Sequence, residues 1–259
     1  MTTSSDDPFV RYYADESLKA TTLERFGATK AAVIRAAQHF GLAGRSWQVA
    51  DVGCGAATQC AMWARDGHVV FGVDINEKLV ELGRQRAAEA GLNVTLSIGS
   101  ATQLPWPDQS MDICLCPELL EHVADWQPVV REAVRVLKPG GVLYLSTTNK
   151  LCPVQEEFDL PAYSWYPGPL KRRYERLAVT TRPELANHAK YPAVNWFTYF
   201  GLRKHLAGFG LRCLDRFDVA ALATHSGAAG AVLATVRKVP PLRWLAHVMT
   251  PYTVIFAQK

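Results

Sequence analysis

The stretch Val49-Ala-Asp-Val-Gly-Cys-Gly55 constrains what this chain can fold into more than any other. Four residues of buried-strand character run directly into two glycines one residue apart. A chain leaving a strand through such a turn can bring backbone N–H groups to a ligand at the start of the next helix. That helix is expected over residues 57–66, and a second strand, Val69–Val73, ends on Asp74. A carboxylate there, 23 positions after Asp51, can accept from both hydroxyls of a ribose. A dinucleotide fingerprint wants a third glycine three residues after the second. Thr58 stands at that place, which argues against a nicotinamide-dependent oxidoreductase.

The alternation continues along the chain. Apolar residues recur at helical spacing over residues 15–40 (Leu18, Phe26, Val33, Ile34, Ala37, Phe40), ahead of the first strand. A helix over 78–90, a strand over 93–98, a strand over 111–116, a helix over 129–137 and a strand over 142–146 follow. Five strands alternating with helices predict a parallel sheet covered on both faces. The pattern then stops. Residues 150–197 carry six of the fifteen prolines and many Trp and Tyr, which suits a functional lid better than a linker. A helix near 199–208, a strand near 211–219 and a last strand over 252–257 complete the chain. The expected organisation is one domain: a helical cap (1–45), a ligand-binding core (46–149), a lid insertion (150–198) and a completion of the sheet (199–259).

With 259 residues, 49% of them hydrophobic, the chain can bury a core without disulfides or a structural metal. The start, Met1 to Pro8, has neither the basic nor the apolar region of a signal peptide, and no apolar run reaches the ~18 residues of a membrane span. The six cysteines contain no Cys-x-x-Cys pair. A cytoplasmic, reduced protein is the expectation. Charge is uneven: residues 1–149 hold 13 Lys+Arg against 17 Asp+Glu, and residues 150–259 hold 15 against 7. Either the second half has a solvated basic face, or it attracts an anionic substrate or a membrane surface.

Taken in order, the motifs resemble those of the class I S-adenosylmethionine-dependent methyltransferases. Val49 to Gly55 is similar to their first motif and Gly72-Val-Asp74 to their second. Ser97-Ile-Gly-Ser-Ala-Thr-Gln-Leu-Pro105 is similar to the third, and Asp112-Ile-Cys-Leu-Cys116 with Glu118-Leu-Leu-Glu-His122 to the fourth. Leu137-Lys-Pro-Gly-Gly141 is similar to the fifth. The resemblance covers residues 49–146. It implies a doubly wound, Rossmann-like α/β sheet of seven strands with the last antiparallel, and S-adenosylmethionine as cofactor. It assigns the methionine part to Asp51, Gly53, Cys54 and Gly55, the ribose to Asp74 with Ile75, and the adenine to Ser100, Ala101 and Thr102. Pro117 completes the set. The third motif usually has Asp where Ser100 stands, so the contact to the adenine amino group rests on a serine oxygen.

Glu-x-x-Glu-His after strand four, with a long insertion after strand five, looks like the ubiquinone-pathway O-methyltransferases of the methyltransferase type 11/12 group. If Glu118 opens a helix, Glu121 and His122 lie at i+3 and i+4 on one face. The three could bind a divalent cation, or leave His122 as a general base with no metal. They could also merely hydrogen-bond the sheet edge. The metal-free base is preferred, because imidazole suits zinc or manganese better than magnesium. Trp165, Tyr166, Tyr191 and Trp196, together with Tyr163, Tyr174, His188 and Tyr199, supply aromatic rings with polar tips for a flat or greasy acceptor, or else glue the insertion to the core. The run Leu170 to Arg176 reads as a solvated helix face, an anion clamp or a weak membrane-surface contact. Tyr12 and Tyr13 are candidates to close over the cofactor. The expected function is methyl transfer to a small molecule, at the oxygen of a hydroxylated, aromatic or hydrophobic acceptor. The alternatives are N- or C-methylation, or a tRNA or protein acceptor. A nucleic-acid partner is not expected, because the motif for amino groups on bases is absent after strand four.

Overall fold

The computed structural model describes residues 15–186, 189, 191–223 and 227–259. Tyr12, Tyr13 and His188 lie outside them. In chain order the elements are α1 (Ala20–His39), β1 (Gln48–Val52), α2 (Thr58–Arg65), β2 (Val69–Asp74), α3 (Glu77–Glu89), β3 (Val94–Ile98), β4 (Met111–Pro117), α4 (Trp126–Val136), β5 (Leu137–Thr148), α5 (Gly168–Thr180), α6 (Tyr199–Ala207), β6 (Arg212–Asp215), α7 (Arg216–Ala220), α8 (Ala228–Lys238), α9 (Pro240–Val248) and β7 (Tyr252–Gln258). The strands form one sheet in the order β3-β2-β1-β4-β5-β7-β6, with the last strand antiparallel. This is the doubly wound α/β topology expected from the alternation. No described helix is long and apolar enough to cross a membrane.

The chain divides into two compact units. The first runs to Cys116 and takes in Gln127–Tyr144 and Gln258–Lys259. Its frame is the parallel pairing of β1 with β2, with Asp51 opposite Gly72 and Val52 opposite Val73. β1 also pairs parallel with β4, and β2 with β3. Val49, Ala50, Val52, Ile113, Cys114 and Leu115 are fully buried, as strands covered on both faces require. Each such side chain stabilises by roughly 1.5–3 kcal/mol if it is a Val or Leu. α4 supplies a matching face: Val129, Val130, Ala133, Val134 and Val136 recur at helical spacing and are buried. α3 starts cleanly because the Asn76 side chain accepts from the Leu79 N–H, and Glu77 sits in its first turn. The last residues close the unit, with the Lys259 N–H donating to Gly141 O at 3.0 Å and the Gly140 N–H to Lys259 O at 2.8 Å.

The second unit is Pro117–Trp126 with Leu145–Ala257. The long segment after β5 is ordered by α5 and two short 3-10 turns, Tyr163–Trp165 and Pro183–Ala186. Its own core is Phe158, Tyr163, Ala178 and Ala186, with Leu160, Tyr166, Tyr174, Leu185 and Trp196 packed on it. Phe158 stacks on Tyr163 at 4.1 Å between ring centroids. Lys171 is buried, with its Nζ 4.3 Å from the Trp196 ring and donating to Ser164 O at 2.9 Å.

Several sequence expectations change. α4 ends one residue before Leu137, and β5 runs from there through Lys138-Pro-Gly-Gly141, so the strand begins five residues earlier than its apolar run suggested. The strand expected over 211–219 breaks at Asp215. There a reciprocal capping box with Asp218 starts α7 instead. No helix opens at Glu118, which adopts φ 49° in a turn; the next helix begins at Trp126. α8 and α9 were not anticipated. All six cysteines are free thiols, five of them buried.

Gly83 shows how tightly α3 meets the turn after β1. A Cβ there would lie 2.9 Å from Ala57 Cβ and 3.1 Å from the Ala56 backbone carbon. In an exposed helix Gly→Ala gains roughly 0.5–1 kcal/mol. Against an immovable backbone, overpacking costs roughly 1–3 kcal/mol. Gly83→Ala is therefore expected to lower the midpoint of chemical denaturation, and an unchanged or raised midpoint would show that the turn yields.

Candidate functional site

In the first unit, β1 ends at Val52 and the chain turns through Gly53 (φ 81°) and Gly55 (φ 51°), conformations that side-chain-bearing residues rarely adopt. The N–H groups of Gly53 and Cys54 both donate to Val73 O, at 2.8 and 3.1 Å, which ties the turn to the end of β2. Asp74 faces it: Oδ2 accepts from the Gly55 N–H at 2.9 Å and Oδ1 from the Asn76 N–H at 2.7 Å. An ionised carboxylate has about four acceptor positions, so two remain for ligand hydroxyls. The helix N-cap is Asn76, which leaves Asp74 free of that duty.

Asp51 is 1% exposed. Its Oδ2 accepts from Cys60 Sγ at 3.3 Å, and its Oδ1 has no partner among the described residues. Burial pushes its pKa up to about 7, and the Asp74 charge adds to the rise. The following helix has no side-chain cap, starting from Ala57 in the left-handed region. Thr58 Oγ1 and both polar atoms of the Gln59 amide are buried without partners as well. Buried polar groups are ordinarily satisfied. Asp51, Thr58 and Gln59 thus leave four buried polar atoms unanswered among the described residues, the last two at the start of a helix without a side-chain cap. Asp51 was legible in the sequence; Thr58 and Gln59 were not singled out there, although polar residues opening a helix behind a glycine turn carry a signal. Ser100 Oγ and Thr102 Oγ1 lie 2.7 Å apart at the end of β3. Ile75 (65% exposed) is a bare apolar side chain next to Asp74, and Ala101 is half-buried.

In the second unit the acidic cluster differs from the one expected. Glu121, His122 and Glu157 have ligand atoms within 4.8 Å of one another. Glu157 takes the place given to Glu118 in the sequence reading. Nothing in its spacing signals this, since it lies 35 positions beyond His122 in the insertion. Glu118 sits at the end of β4 beyond Pro117, its N–H donating to Ser146 O at 2.9 Å, and its charge bears on both Glu121 and Glu157. Glu121 is fully buried; Oε2 accepts from Thr147 Oγ1 at 2.8 Å and Oε1 has no partner among the described residues. Burial, then the charge of Glu157, holds its pKa well above the usual carboxylate range. Burial likewise raises Glu157 to about 7. His122 Nε2 is 4.0 Å from Glu157 Oε2, and burial lowers the imidazole pKa. Asn195, also missed, pins this turn: its Nδ2 donates to Leu120 O at 3.1 Å and Val123 O at 2.7 Å.

The four aromatic candidates separate. Tyr166 and Trp196 belong to the core of the insertion, whereas Trp165 (59% exposed) and Tyr191 (49%) stand outside it. In the basic run, Lys171 turns inward while Arg172, Arg173 and Arg176 stay exposed.

Residues 50–145 match a family model described as a methyltransferase domain. The chain is 37% identical over 102 residues to a ubiquinone biosynthesis O-methyltransferase of Coxiella burnetii, covering 39% of this chain and 44% of that protein. It thus spans less than half the length of that relative. It is 33% identical over 175 residues to a demethylmenaquinone methyltransferase of Listeria monocytogenes, covering 62% and 73%. Among solved structures, an S-adenosylmethionine-dependent methyltransferase of Mesorhizobium loti superposes with a TM-score of 0.55 at 17% identity, over 88% of this chain and 98% of that one, a likeness of fold.

An acid whose folded pKa is raised contributes stability below its unfolded pKa, near 4, and loses it as pH climbs through the folded value, about 7 for Asp51. Asp51→Asn keeps the shape and removes the ionisation. Its thermal midpoint should exceed that of the native protein at pH 8, with the difference vanishing near pH 4; equal midpoints at pH 8 would remove Asp51 from the list of strained carboxyls. For the aromatic pair, Tyr166→Ala should lower the thermal midpoint, as loss of a packed ring does by about 3–5 kcal/mol, while Trp165→Ala should leave it within a degree or two.

Proposed function

The chain belongs to the class I S-adenosylmethionine-dependent methyltransferases, and from that premise we propose that it methylates an oxygen of a small hydroxylated acceptor, aromatic or hydrophobic in character. The observation that carries the reading is the half-buried His122, whose Nε2 lies 4.0 Å from Glu157 Oε2 in a cluster with Glu121 whose ligand atoms are within 4.8 Å of one another. S-adenosylmethionine supplies a methyl group on a positively charged sulfur. Asp51, Thr58 and Gln59 suit the amino-acid end of that molecule, since their buried oxygens and amide lack partners of their own. Asp74 takes the ribose hydroxyls with its two spare acceptor positions. Ser100, Ala101, Thr102 and Ile75 border the adenine, and Gly53, Cys54 and Gly55 offer backbone close to the ligand. Pro117 ends the strand that leads to the acid–imidazole cluster.

Methyl transfer itself asks mainly for alignment. A hydroxyl acceptor also has to lose a proton, and a positioned base provides typically 10²–10⁴-fold. Burial keeps the His122 ring neutral and therefore able to accept. Burial, then the Glu157 charge, holds the Glu121 pKa well above the usual carboxylate range, which disfavours a negative charge there. Glu157, poised near neutrality, offsets the positive charge once the ring is protonated. The names of the two curated relatives, both tied to quinone methylation, agree with an acceptor of this kind. Trp165 and Tyr191 are the side chains we assign to acceptor contact in the insertion.

One observation favours a second reading. Glu121, His122 and Glu157 are close enough together to hold a divalent ion, with ligands that suit zinc or manganese. Such an ion would lower the pKa of a bound hydroxyl.

Two measurements decide between them. With a hydroxylated catechol-type acceptor, His122→Ala is expected to slow turnover by roughly 10²–10⁴-fold with donor affinity unchanged, and a chelator is expected to leave the native rate alone. Activity removed by the chelator and restored by one divalent ion would replace the base with a metal. Full activity of His122→Ala without added metal would overturn both readings. In the base reading kcat/KM rises with pH through a pKa below that of an ordinary histidine, and His122→Ala loses that limb.

A further inference from the structure

Helix α9 is amphipathic in the reverse sense for a surface helix. Its polar residues face inward. Arg243 Nε donates to Asp215 Oδ2 at 2.8 Å, and its guanidinium also reaches Asp218. His247, 4% exposed, bonds Asp215 Oδ2 through Nε2 at 2.9 Å and stacks on Tyr199 at 4.5 Å between ring centroids. The end of β5 fixes the helix further, because Asn149 Nδ2 donates to both His247 O and Thr250 O at 2.7 Å. The opposite arc carries Leu242, Trp244, Leu245 and, one residue beyond the helix, Met249; they are 41%, 50%, 48% and 72% exposed. A surface helix of a soluble fold keeps polar residues on that side.

The neighbouring helix extends the feature. α8 has no buried residue, and its Val232 is 64% exposed. Arg237 and Lys238 end it, immediately before Pro240 opens α9. From Val219 to Lys259 the sequence contains no Asp or Glu at all. Arg237 is answered by Asp218 at 3.2 Å, which leaves Lys238 as the charge at the edge of an apolar arc that carries a tryptophan. An arc of this kind in a segment without acids fits the headgroup region of an anionic bilayer. A second copy of the chain fits it less well. A twofold contact through this face would bring Lys238 towards its own kind with no carboxylate in residues 219–259 to answer it.

We propose that the α8–α9 hairpin docks this protein on anionic phospholipid surfaces, with Leu242, Leu245 and Met249 entering the interface and Lys238 adding charge attraction. Asp215 is the positioning residue: its contacts to Arg243 and His247 hold the polar face down and leave the apolar arc outward. The inference does not depend on the reading of His122 or on the acceptor.

The test is co-sedimentation of the full chain with phosphatidylcholine vesicles, with and without about 30% phosphatidylglycerol. Capture by the anionic vesicles is expected, weakening as salt is raised. The double variant Leu242→Glu/Leu245→Glu should reduce capture by about tenfold or more. Met249→Glu, at the most exposed of these positions, should lower it in the same direction with an unchanged thermal midpoint. Lys238→Glu should erase the difference between the two vesicle types. No capture of the native chain, or equal capture of the native chain, the double variant and Met249→Glu, overturns the proposal. So does a dimer in sedimentation velocity that the double variant dissociates while vesicles capture nothing, which would assign the face to self-association.

Discussion

Parallel pairing of β1 with β2 is the constraint from which the first unit follows. It sets Val52 against Val73, so the two strands end side by side and their final carbonyl and carboxylate serve one turn. Val73 O takes the N–H groups of Gly53 and Cys54, and Asp74 takes that of Gly55. The glycines are needed because the chain must reverse within three residues at positive φ while staying close to the neighbouring strand. Gly83 is needed one layer out, where α3 presses on the same turn. A single register thus decides where two acidic residues, a set of backbone donors and a helix N-terminus meet.

That meeting leaves cost as well as order. Among the described residues Asp51 is a buried carboxyl with one oxygen unpaired, and Thr58 and Gln59 at the following helix start are left in a similar state. Unsatisfied buried groups each cost about 1–3 kcal/mol. A fold keeps such groups where a ligand repays them, which is the physical sense in which a receptor is prepared in advance. The second unit repeats the pattern with Glu121, Glu157 and His122. There burial drives the acids towards neutrality and the imidazole away from its charged form. Both clusters store their strain in protonation states, so both are sensitive to pH near neutrality. Elsewhere in the second unit the buried charge is fully answered: Asp215 receives a backbone N–H, Arg243 and His247.

The insertion owes its order to aromatic packing. Phe158, Tyr163, Tyr166, Tyr174 and Trp196 form a small core of their own, and Lys171 fills it with an ammonium set against two ring faces. This explains how a proline-rich stretch without strands holds a defined shape. It also divides the aromatic residues by task, since a ring in that core cannot be given up to a ligand without loosening the segment.

The first half of the chain was legible because its constraints are local. A strand buried on both faces must be apolar throughout, a turn at positive φ must be glycine, and a helix start favours a side chain such as Asn76; each leaves its mark within a few residues. Asp51, Asp74 and the glycines could be read off in that way, and with them the fold class and the family. Glu157 could not, because its partnership with Glu121 and His122 is made across 35 positions that include α4 and β5, and no periodicity connects them. Glu118 shows the converse: its spacing to Glu121 and His122 suited a helix, yet a left-handed turn bonded to Ser146 holds it instead. Asp215 and α9 make the same point on a larger scale. The apolar and polar positions of α9 are visible in sequence, but which face turns inward depends on a buried carboxylate, Asp215, that receives Arg243 and His247 from the polar face. Local residue chemistry determined the strands of the first half, the glycine turn and the acidic residues around it. Only the tertiary structure decided which distant groups share a cavity and which side of a helix meets water, because those outcomes are set by competition between partners that the chain brings together only when folded.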